Sequence, residues 1–225
     1  MLDKNKVLLR KLKEKYKDEK VYVIPANLVL NIQNRFSHVK KYRNYRNLLS
    51  LIEYKGLFIP RYQAEYNIAM QQIIPYTIVL NDKGQFYISE RIGGDCRLEK
   101  TLSIGFGGHI NPIDLSNISK ENNFSLLNCA ADRELNEELS IKNIIKPKKV
   151  LGFVRDLSSN TAEHLGVIYI ITVKEKVTIK EKDKLKGSWM SMEQLINKYY
   201  SFESWSRFLI DYLFTRYKDE KEYNE

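Results

Sequence analysis

The stretch Arg133-Glu134-Leu135-Asn136-Glu137-Glu138-Leu139-Ser140-Ile141 combines a dense acidic cluster with aliphatic positions. In a helix of 3.6 residues per turn, glutamates at i, i+3 and i+4 lie on one face. Like charges at these spacings repel each other by roughly 0.2–0.5 kcal/mol per pair. The cluster therefore favours a bound cation, and Mg²⁺ is a hard ion that accepts carboxylate oxygens.

An acidic helix face is often only a solvated surface, and this alternative stays open for an isolated cluster. Two neighbouring features favour a site instead. Leu127, Ala131, Leu135 and Leu139 recur every four residues, which gives the helix an apolar stripe that can pack on a core. Upstream, Gly107-Gly108 predicts a turn where the backbone can approach a phosphate closely.

At these residues the chain resembles the Nudix hydrolases, whose signature is G-x5-E-x7-R-E-U-x-E-E-x-G-U, with U an aliphatic residue. The stretch from Arg133 to Leu139 matches the second half of the signature, and Ile141 fits the last aliphatic position. Ser140 stands where the family has its late glycine. The resemblance is therefore strongest in the acidic helix.

The first half of the signature departs from the family. Gly108 lies 25 positions before Arg133, against 14 in the signature, so we expect an insertion of about eleven residues within 109–124. Counted back from Arg133, the position of the family's first glutamate is occupied by Ser125.

Similarity to one bacterial Nudix subgroup, often labelled predicted phosphoesterases, covers most of the chain. The residues that carry it are Gln72–Tyr76, Ser103–Asn111, His164–Val167, Gly187–Trp189 and Tyr200–Ser206. The resemblance implies an α/β/α sandwich around a mixed sheet.

Length and composition limit the class of protein. The 225 residues, 43% of them apolar, suit one domain with a sizeable core. No run approaches the roughly 20 apolar residues that cross a bilayer, and no apolar segment of a secretory signal follows Met1. We therefore expect a cytoplasmic protein that does not enter a membrane. Cys96 and Cys129 are the only cysteines, and reduced thiols are predicted for them.

Positive charge is concentrated near the N-terminus. Residues 1–75 carry the whole formal net charge of +9, whereas 76–225 are balanced. A basic face of this kind can bind nucleic acid, which we keep as a candidate partner of the N-terminal third. It can equally line a cleft for an anionic substrate or keep the protein soluble.

Helices and strands alternate along the chain. Helices are predicted at 4–20, 42–54 and 202–214, in the acidic stretch that carries the stripe from Leu127 to Leu139, and from Met192 onward. Strands are predicted at 21–25, 76–80, 85–89, 150–154, 165–173 and 187–190. Ser191 is predicted as an N-cap, with Gln194 completing a capping box. Residues 174–186 are rich in lysine and acidic residues and predict a solvated connection.

This order of elements predicts a mixed sheet with helices on both sides. The resemblance implies the same architecture, a Nudix-like α/β/α sandwich with a mixed sheet. We divide the chain into a basic helical and strand extension packed on the core (1–74), a Nudix-like domain (75–217) and a polar tail (218–225). A homodimer remains open.

The resemblance implies a metal-dependent hydrolase that cleaves a pyrophosphate bond in a nucleoside diphosphate linked to another group. Glu134, Glu137 and Glu138 would hold Mg²⁺ or Mn²⁺, and Arg133 would orient a glutamate through a bidentate pair. Phosphate-binding arginines are expected on the approach to the glycine turn, and a general base or outer ligand just before the strand 165–173. The candidate substrate-binding residues are Gly107, Gly108, His109, Arg91 and Arg97, and the candidate general bases are Glu163 and His164.

Two other readings compete with the hydrolase. A catalytically weak Nudix-like module that binds nucleotide or nucleic acid is motivated by Ser125 and by the insertion within 109–124. An isoprenyl-diphosphate isomerase on the same scaffold would need an acid–base pair, for which Cys96 is a candidate. The three retained glutamates favour the hydrolase.

Overall fold

The computed structural model describes residues 2–32, 35–38, 45–93, 101–118, 125–159, 161–174 and 176–222. Its α-helices are α1 (Leu2–Tyr16), α2 (Tyr45–Lys55), α3 (Arg61–Ala64), α4 (Leu126–Glu138), α5 (Met192–Asn197) and α6 (Ser204–Glu222). Its strands are β1 (Lys20–Pro25), β2 (Phe36–His38), β3 (Leu57–Pro60), β4 (Met70–Asn81), β5 (Phe86–Arg91), β6 (Leu102–Ser103), β7 (Gly105–Gly107), β8 (Leu139–Ile141), β9 (Ile144–Val154), β10 (His164–Val173), β11 (Val177–Ile179) and β12 (Leu185–Met190).

One mixed sheet contains ten of the described strands, in the order β12-β5-β4-β10-β9-β2 along its main path. The long central strands β4 and β10 run parallel to each other, from the pair Gln72–His164 to the pair Asn81–Val173. Along its other edge β4 pairs in turn with β1, β7 and β5, all antiparallel. The glycine turn, which begins at the end of β7, is thereby held beside the middle of the sheet.

Helices cover both faces of this sheet, because side chains alternate along each strand. On one face, Ile74 and Ile78 of β4 pack in a cluster with Leu195 of α5 and Leu209 of α6. On the other face, side chains of α2 and α4 pack against Ile73 and the alternating residues of β10. The predicted α/β/α sandwich with a mixed sheet is confirmed.

The N-terminal segment is part of the same packed structure. β1 pairs with both β3 and β4, and Tyr22 and Ile24 share a buried cluster with Ile73 of β4. The boundary expected at residues 74 and 75 falls inside β4. The basic helix α1 lies against α3, where the guanidinium of Arg61 stacks on the ring of Tyr16 at 4.4 Å.

Two expectations from the sequence need correction. The charged segment 174–186, predicted as a solvated connection, contains β11, whose Val177 and Ile179 are buried and which pairs with β8. The alternation of two apolar residues around Thr178 is a strand signal that the surrounding charges concealed. The helix α6 continues to Glu222, into the segment predicted as a polar tail.

The capping box at the start of α5 is confirmed. Ser191 Oγ accepts a hydrogen bond from the backbone of Gln194, and the Gln194 side chain accepts one from the backbone of Ser191 at 2.8 Å. In the part of the chain that the structure describes, no helix is both long and apolar enough to cross a membrane.

Candidate active site

A cavity of about 400 Å³ lies on the face of the sheet covered by α6. Its walls come from β4, β5, β7, β10, the end of α4 and the start of α6. Six of the residues predicted for the site line it, namely Arg91, Gly107, Gly108, His109, Glu138 and His164. The fold thus brings together residues that are up to 73 positions apart in the sequence.

The glycine turn has no room for side chains. A Cβ added to Gly107 would lie 1.9 Å from the carbonyl oxygen of Pro75 in the neighbouring strand β4. A Cβ added to Gly108 would lie 2.6 Å from Oε2 of Glu134. The two glycines therefore permit a close approach between β7, β4 and the acidic end of α4.

We expect Gly107→Ala to destabilise the protein by about 3 kcal/mol, because the clash is with a backbone atom of the central strand. Gly108→Ala should cost less stability, since its new methyl group meets the end of a side chain, but it should displace Glu134. Urea unfolding of both variants measures the difference. Equal losses of stability would contradict this account of the turn.

Arg133 is the centre of an ion-pair network beneath the cavity. Its Nε and Nη2 donate to the two carboxylate oxygens of Asp114, at 2.7 and 3.0 Å. Nη1 donates to Oε1 of Glu134 at 2.8 Å and more weakly to Glu137 at 3.2 Å, and Nη2 also donates to the carbonyl of His109 at 2.9 Å. Its hydrogen bonds with Asp114, together with the charge of Glu134, raise the pKa of Arg133, so it stays charged.

Asp114 is a residue that the sequence interpretation missed. It is fully buried in a 3₁₀ helix at Pro112–Asn117, and its Oδ2 also accepts the backbone N–H of Asn111 at 2.9 Å. It lies six residues after Gly108, which is the spacing of the first glutamate in the Nudix signature when counted forward from the glycine. The extra residues therefore follow Asp114.

Ser125, the residue reached by counting back from Arg133, has a structural role in the described chain. Ser125 is the N-cap of α4, where its Oγ accepts the backbone N–H of Asn128 at 3.3 Å. Counting back from Arg133 led to this residue because the insertion lies between the two halves of the signature. The carboxylate that pairs with Arg133 in a bidentate manner belongs to Asp114, ahead of the insertion.

The three glutamates of the acidic helix differ in environment. The side chain of Glu137 is 56% exposed, whereas that of Glu134 is 13% exposed. Glu138 lines the cavity. Burial, reinforced by the negative charges of Glu134 and Glu181, raises the pKa of Glu138 to about 8. Burial also raises the pKa of Glu134, against the opposing charge of Arg133.

Oxygen donors of the kind that Mg²⁺ binds are thus present on the cavity wall. Among the described residues, however, no three His, Cys, Asp or Glu side chains converge as a ready-made metal site. In the described structure Arg133 forms ion pairs with both Glu134 and Glu137. Mg²⁺ is commonly bound through one or two carboxylates, with water and substrate phosphates completing its ligands, and Glu138 and Glu134 fit that mode.

His109 and His164 face each other across the cavity wall, with ring centroids 5.4 Å apart. Burial lowers the pKa of both imidazoles, and for His109 the nearby positive charge of Arg61 adds to the effect. Both rings are therefore neutral at pH 7. Glu163, the other candidate base, is only 3% exposed, and its Oε1 accepts the backbone N–H of Tyr66 at 3.3 Å.

The remaining predicted residues divide between the cavity and the part of the chain that is not described. Arg91, at the end of β5, lines the cavity, and its positive charge lowers the pKa of Glu138 in opposition to the acidic neighbours. Arg97 and Cys96, together with residues 119–124 of the expected insertion, lie outside the described residues.

A second polar network on the cavity wall was not predicted as part of the site. The hydroxyl of Tyr76 donates to Oε1 of Glu203 at 3.0 Å and lies 2.6 Å from Oγ of Ser103. Glu203 in turn accepts the backbone N–H groups of Trp205 and Ser206 at the start of α6. Burial raises the pKa of Glu203. Both Tyr76 and Glu203 belong to stretches that resemble the Nudix subgroup, which was the available signal.

The sheet order, the glycine turn and the acidic helix together define a protein with the Nudix fold. The solved structure of Tm1382, described as "a putative Nudix hydrolase", superposes with a TM-score of 0.70 at 23% identity, covering 87% of this chain and 98% of that one. The predicted resemblance to the Nudix proteins is confirmed at the level of the fold.

The chain belongs to the family of protein YmaB of Bacillus subtilis (strain 168). The two sequences are 32% identical over 209 residues, covering 87% of this chain and 98% of its relative. No family model matches the chain.

Proposed function

We propose that the protein is a metal-dependent hydrolase that cleaves a pyrophosphate bond in a nucleoside diphosphate linked to another group. The observation that carries this proposal is the placement of Glu138, a carboxylate on the wall of a cavity that also contains the glycine turn and a cationic side chain, Arg91. The cavity volume of about 400 Å³ is within the usual range for small-molecule sites.

Glu138 and Glu134 are the proposed ligands of Mg²⁺ or Mn²⁺. A buried carboxylate next to a second carboxylate is electrostatically unfavourable, and a divalent cation reverses the sign of that interaction. When bound, the ion neutralises phosphate oxygens and lowers the pKa of a bound water. The chain's own contribution is to hold the Glu134 carboxylate beside the glycine turn, through the contact of Arg133 with Glu134 at 2.8 Å.

Arg91 and the glycine turn are the proposed phosphate-binding elements. The guanidinium of Arg91 lines the same cavity as Glu138 and can donate to phosphate oxygens in a bidentate manner. Gly107 and Gly108 bring main-chain atoms to the cavity wall with no Cβ in between. Together they place a cation and a bare backbone close to the proposed metal ligands.

A panel of nucleoside-diphosphate compounds, incubated with the purified protein and Mg²⁺ or Mn²⁺, tests the function. We expect at least one compound to be cleaved to a nucleoside monophosphate, and EDTA should abolish the reaction. The Glu138→Gln variant supplies the background rate. If no compound is turned over faster than by that variant, the hydrolase proposal fails and a binding module becomes the better reading.

A further inference from the structure

Three hydroxyls and a guanidinium form a polar patch where β5 pairs with β6 and with the residue before it. Ser89 of β5 lies opposite Ser103 of β6 in the antiparallel register. The backbone N–H of Arg91 donates to the carbonyl of Thr101 at 3.2 Å, which continues the same register. Opposite residues of an antiparallel pair share a face, as do residues two apart along a strand. These four side chains therefore form one patch, and all four residues line the cavity.

The donors of this patch differ in whether the protein already uses them. The hydroxyl of Ser103 is engaged by that of Tyr76, 2.6 Å away. Among the described residues, the hydroxyls of Ser89 and Thr101 have no hydrogen-bond partner, and the guanidinium of Arg91 has neither a hydrogen bond nor an ion pair. None of their side-chain atoms is among the unpartnered polar atoms that the protein encloses. These donors are therefore open to a molecule in the cavity.

The charge and number of the open donors indicate the kind of ligand. Arg91 acts on Glu138 electrostatically, but the two side chains form no ion pair in the part of the chain that is described. A guanidinium without a counter-ion repels cations, and beside two hydroxyls it can donate several hydrogen bonds to an oxyanion. A phosphoryl group offers three oxygens in a tetrahedral arrangement, whereas a carboxylate offers two in a plane. Donors that come from two strands suit the phosphoryl group better.

We propose that Ser89, Arg91 and Thr101 form a phosphate-binding subsite, in which two hydroxyls and a guanidinium donate to oxygens of the substrate's phosphoryl groups. This inference rests on the proposed function, because it takes the cavity as the substrate site. It goes further in assigning Ser89 and Thr101 as binding residues. Because Arg91 supplies the positive charge, the subsite binds its anion without the metal ion that Glu138 would hold.

Inorganic pyrophosphate tests the subsite in the absence of both metal and turnover. Isothermal titration calorimetry of the full chain in EDTA measures its affinity, and malonate serves as a dicarboxylate probe. We expect saturable binding of pyrophosphate to the wild type and binding of malonate that is weaker by about ten-fold or more. Because no bond is cleaved, a protein that hydrolyses no nucleotide can still pass this test, so the two proposals fail separately.

Variants identify the donors. Ser89→Ala and Thr101→Val should each weaken pyrophosphate binding about ten-fold, because each removes one hydrogen bond to a charged group. Arg91→Gln should weaken it by about 100-fold, since it removes the charge as well as the bidentate donor. Thr101→Ser keeps the hydroxyl and should stay within about three-fold of the wild type.

Ser188→Ala is the matched control for the loss of a hydroxyl from this sheet. Ser188 lies in the neighbouring strand β12, opposite Ile88, where its side chain is exposed and outside the cavity lining. This variant should bind pyrophosphate as the wild type does. Thermal midpoints of all variants show whether a loss of binding reflects a loss of folding. Thr101→Val matters most in this respect, because Thr101 is partly exposed whereas Ser89 is buried in the sheet.

Three results would overturn the subsite. The first is a wild type that does not bind pyrophosphate in EDTA, and the second is malonate binding as tight as that of pyrophosphate. The third is an affinity of Thr101→Val or Arg91→Gln equal to that of Ser188→Ala, because the anion would then bind elsewhere on the protein.

Discussion

Glu138→Gln is expected to lose at least about 1,000-fold in metal-dependent hydrolysis and yet to unfold at a higher temperature than the wild type without metal. The loss of activity follows from removing a proposed metal ligand on the cavity wall. The gain in stability follows from the burial of its carboxylate, which raises the pKa of Glu138 from 4.5 to about 8.

The sign of the pH dependence follows from proton linkage. Between pH 4.5 and about 8 the folded state retains a proton on Glu138 that the unfolded state has released. The folded state then binds more protons, so stability falls as the pH rises through this range. At roughly 1.4 kcal/mol per pH unit, this pKa difference corresponds to about 5 kcal/mol at most.

Thermal unfolding in EDTA between pH 5 and pH 9 measures this effect. The wild type should lose stability relative to Glu138→Gln as the pH increases, and Mg²⁺ should restore it at pH 8 in the wild type but have no effect on Glu138→Gln. Glu137→Gln is the matched control, because the same change one residue away affects a side chain that is 56% exposed. Parallel pH profiles for the wild type and Glu138→Gln would contradict the assigned environment of this carboxylate.

Asp114→Ala is expected to destabilise the protein by about 3–5 kcal/mol, because it leaves the guanidinium of Arg133 without its closest partner. The pair is bidentate, with donor–acceptor distances of 2.7 and 3.0 Å, and the carboxylate is fully buried. Activity should fall as well, since Arg133 also holds Glu134. Urea unfolding and the hydrolysis assay measure the two effects.

Ser125→Ala is the appropriate comparison, because Ser125 occupies the position to which the signature points when counted back from Arg133. As an N-cap its loss should cost about 1 kcal/mol and leave activity intact. A double-mutant cycle between Asp114 and Arg133 isolates their coupling. If Asp114→Ala cost no more than Ser125→Ala, the pair would not be the support of the site that its geometry indicates.

Much of the fold could be predicted because the apolar pattern of each element matches the surface that the element buries in the folded protein. The apolar stripe of α4 marks the one face that this helix buries, and the continuous β-branched run of β10 marks a strand buried on both faces. Both patterns are visible in the sequence. β11 was missed since only Val177 and Ile179 are apolar in a charged segment, and their burial depends on β8. The pairing of β11 with β8 cannot be predicted from the sequence pattern of either strand alone.

The candidate site was predictable in part for the same reason. Glu138 lies in the half of the signature that keeps its spacing, and Gly107-Gly108 is a local turn signal. The hydrogen bond from Tyr76 to Glu203, in contrast, joins residues 127 positions apart. Counting forward along the signature from Gly108 leads to Asp114, whereas counting back from Arg133 leads to Ser125, because the insertion lies between them. Which count applies is decided by the three-dimensional pairing with Arg133.

Because Asp114 bonds Arg133, the number of residues between Asp114 and Ser125 does not affect the position of the acidic helix. Asp114 is fastened to α4 before the extra residues begin, and Ser125 fixes the start of the helix after they end. The entropy of closing such a loop grows only slowly with its length. The stretch between these two anchors is consequently the natural position at which relatives can gain or lose residues, and at which a tag or a reporter can be inserted, without moving the acidic helix.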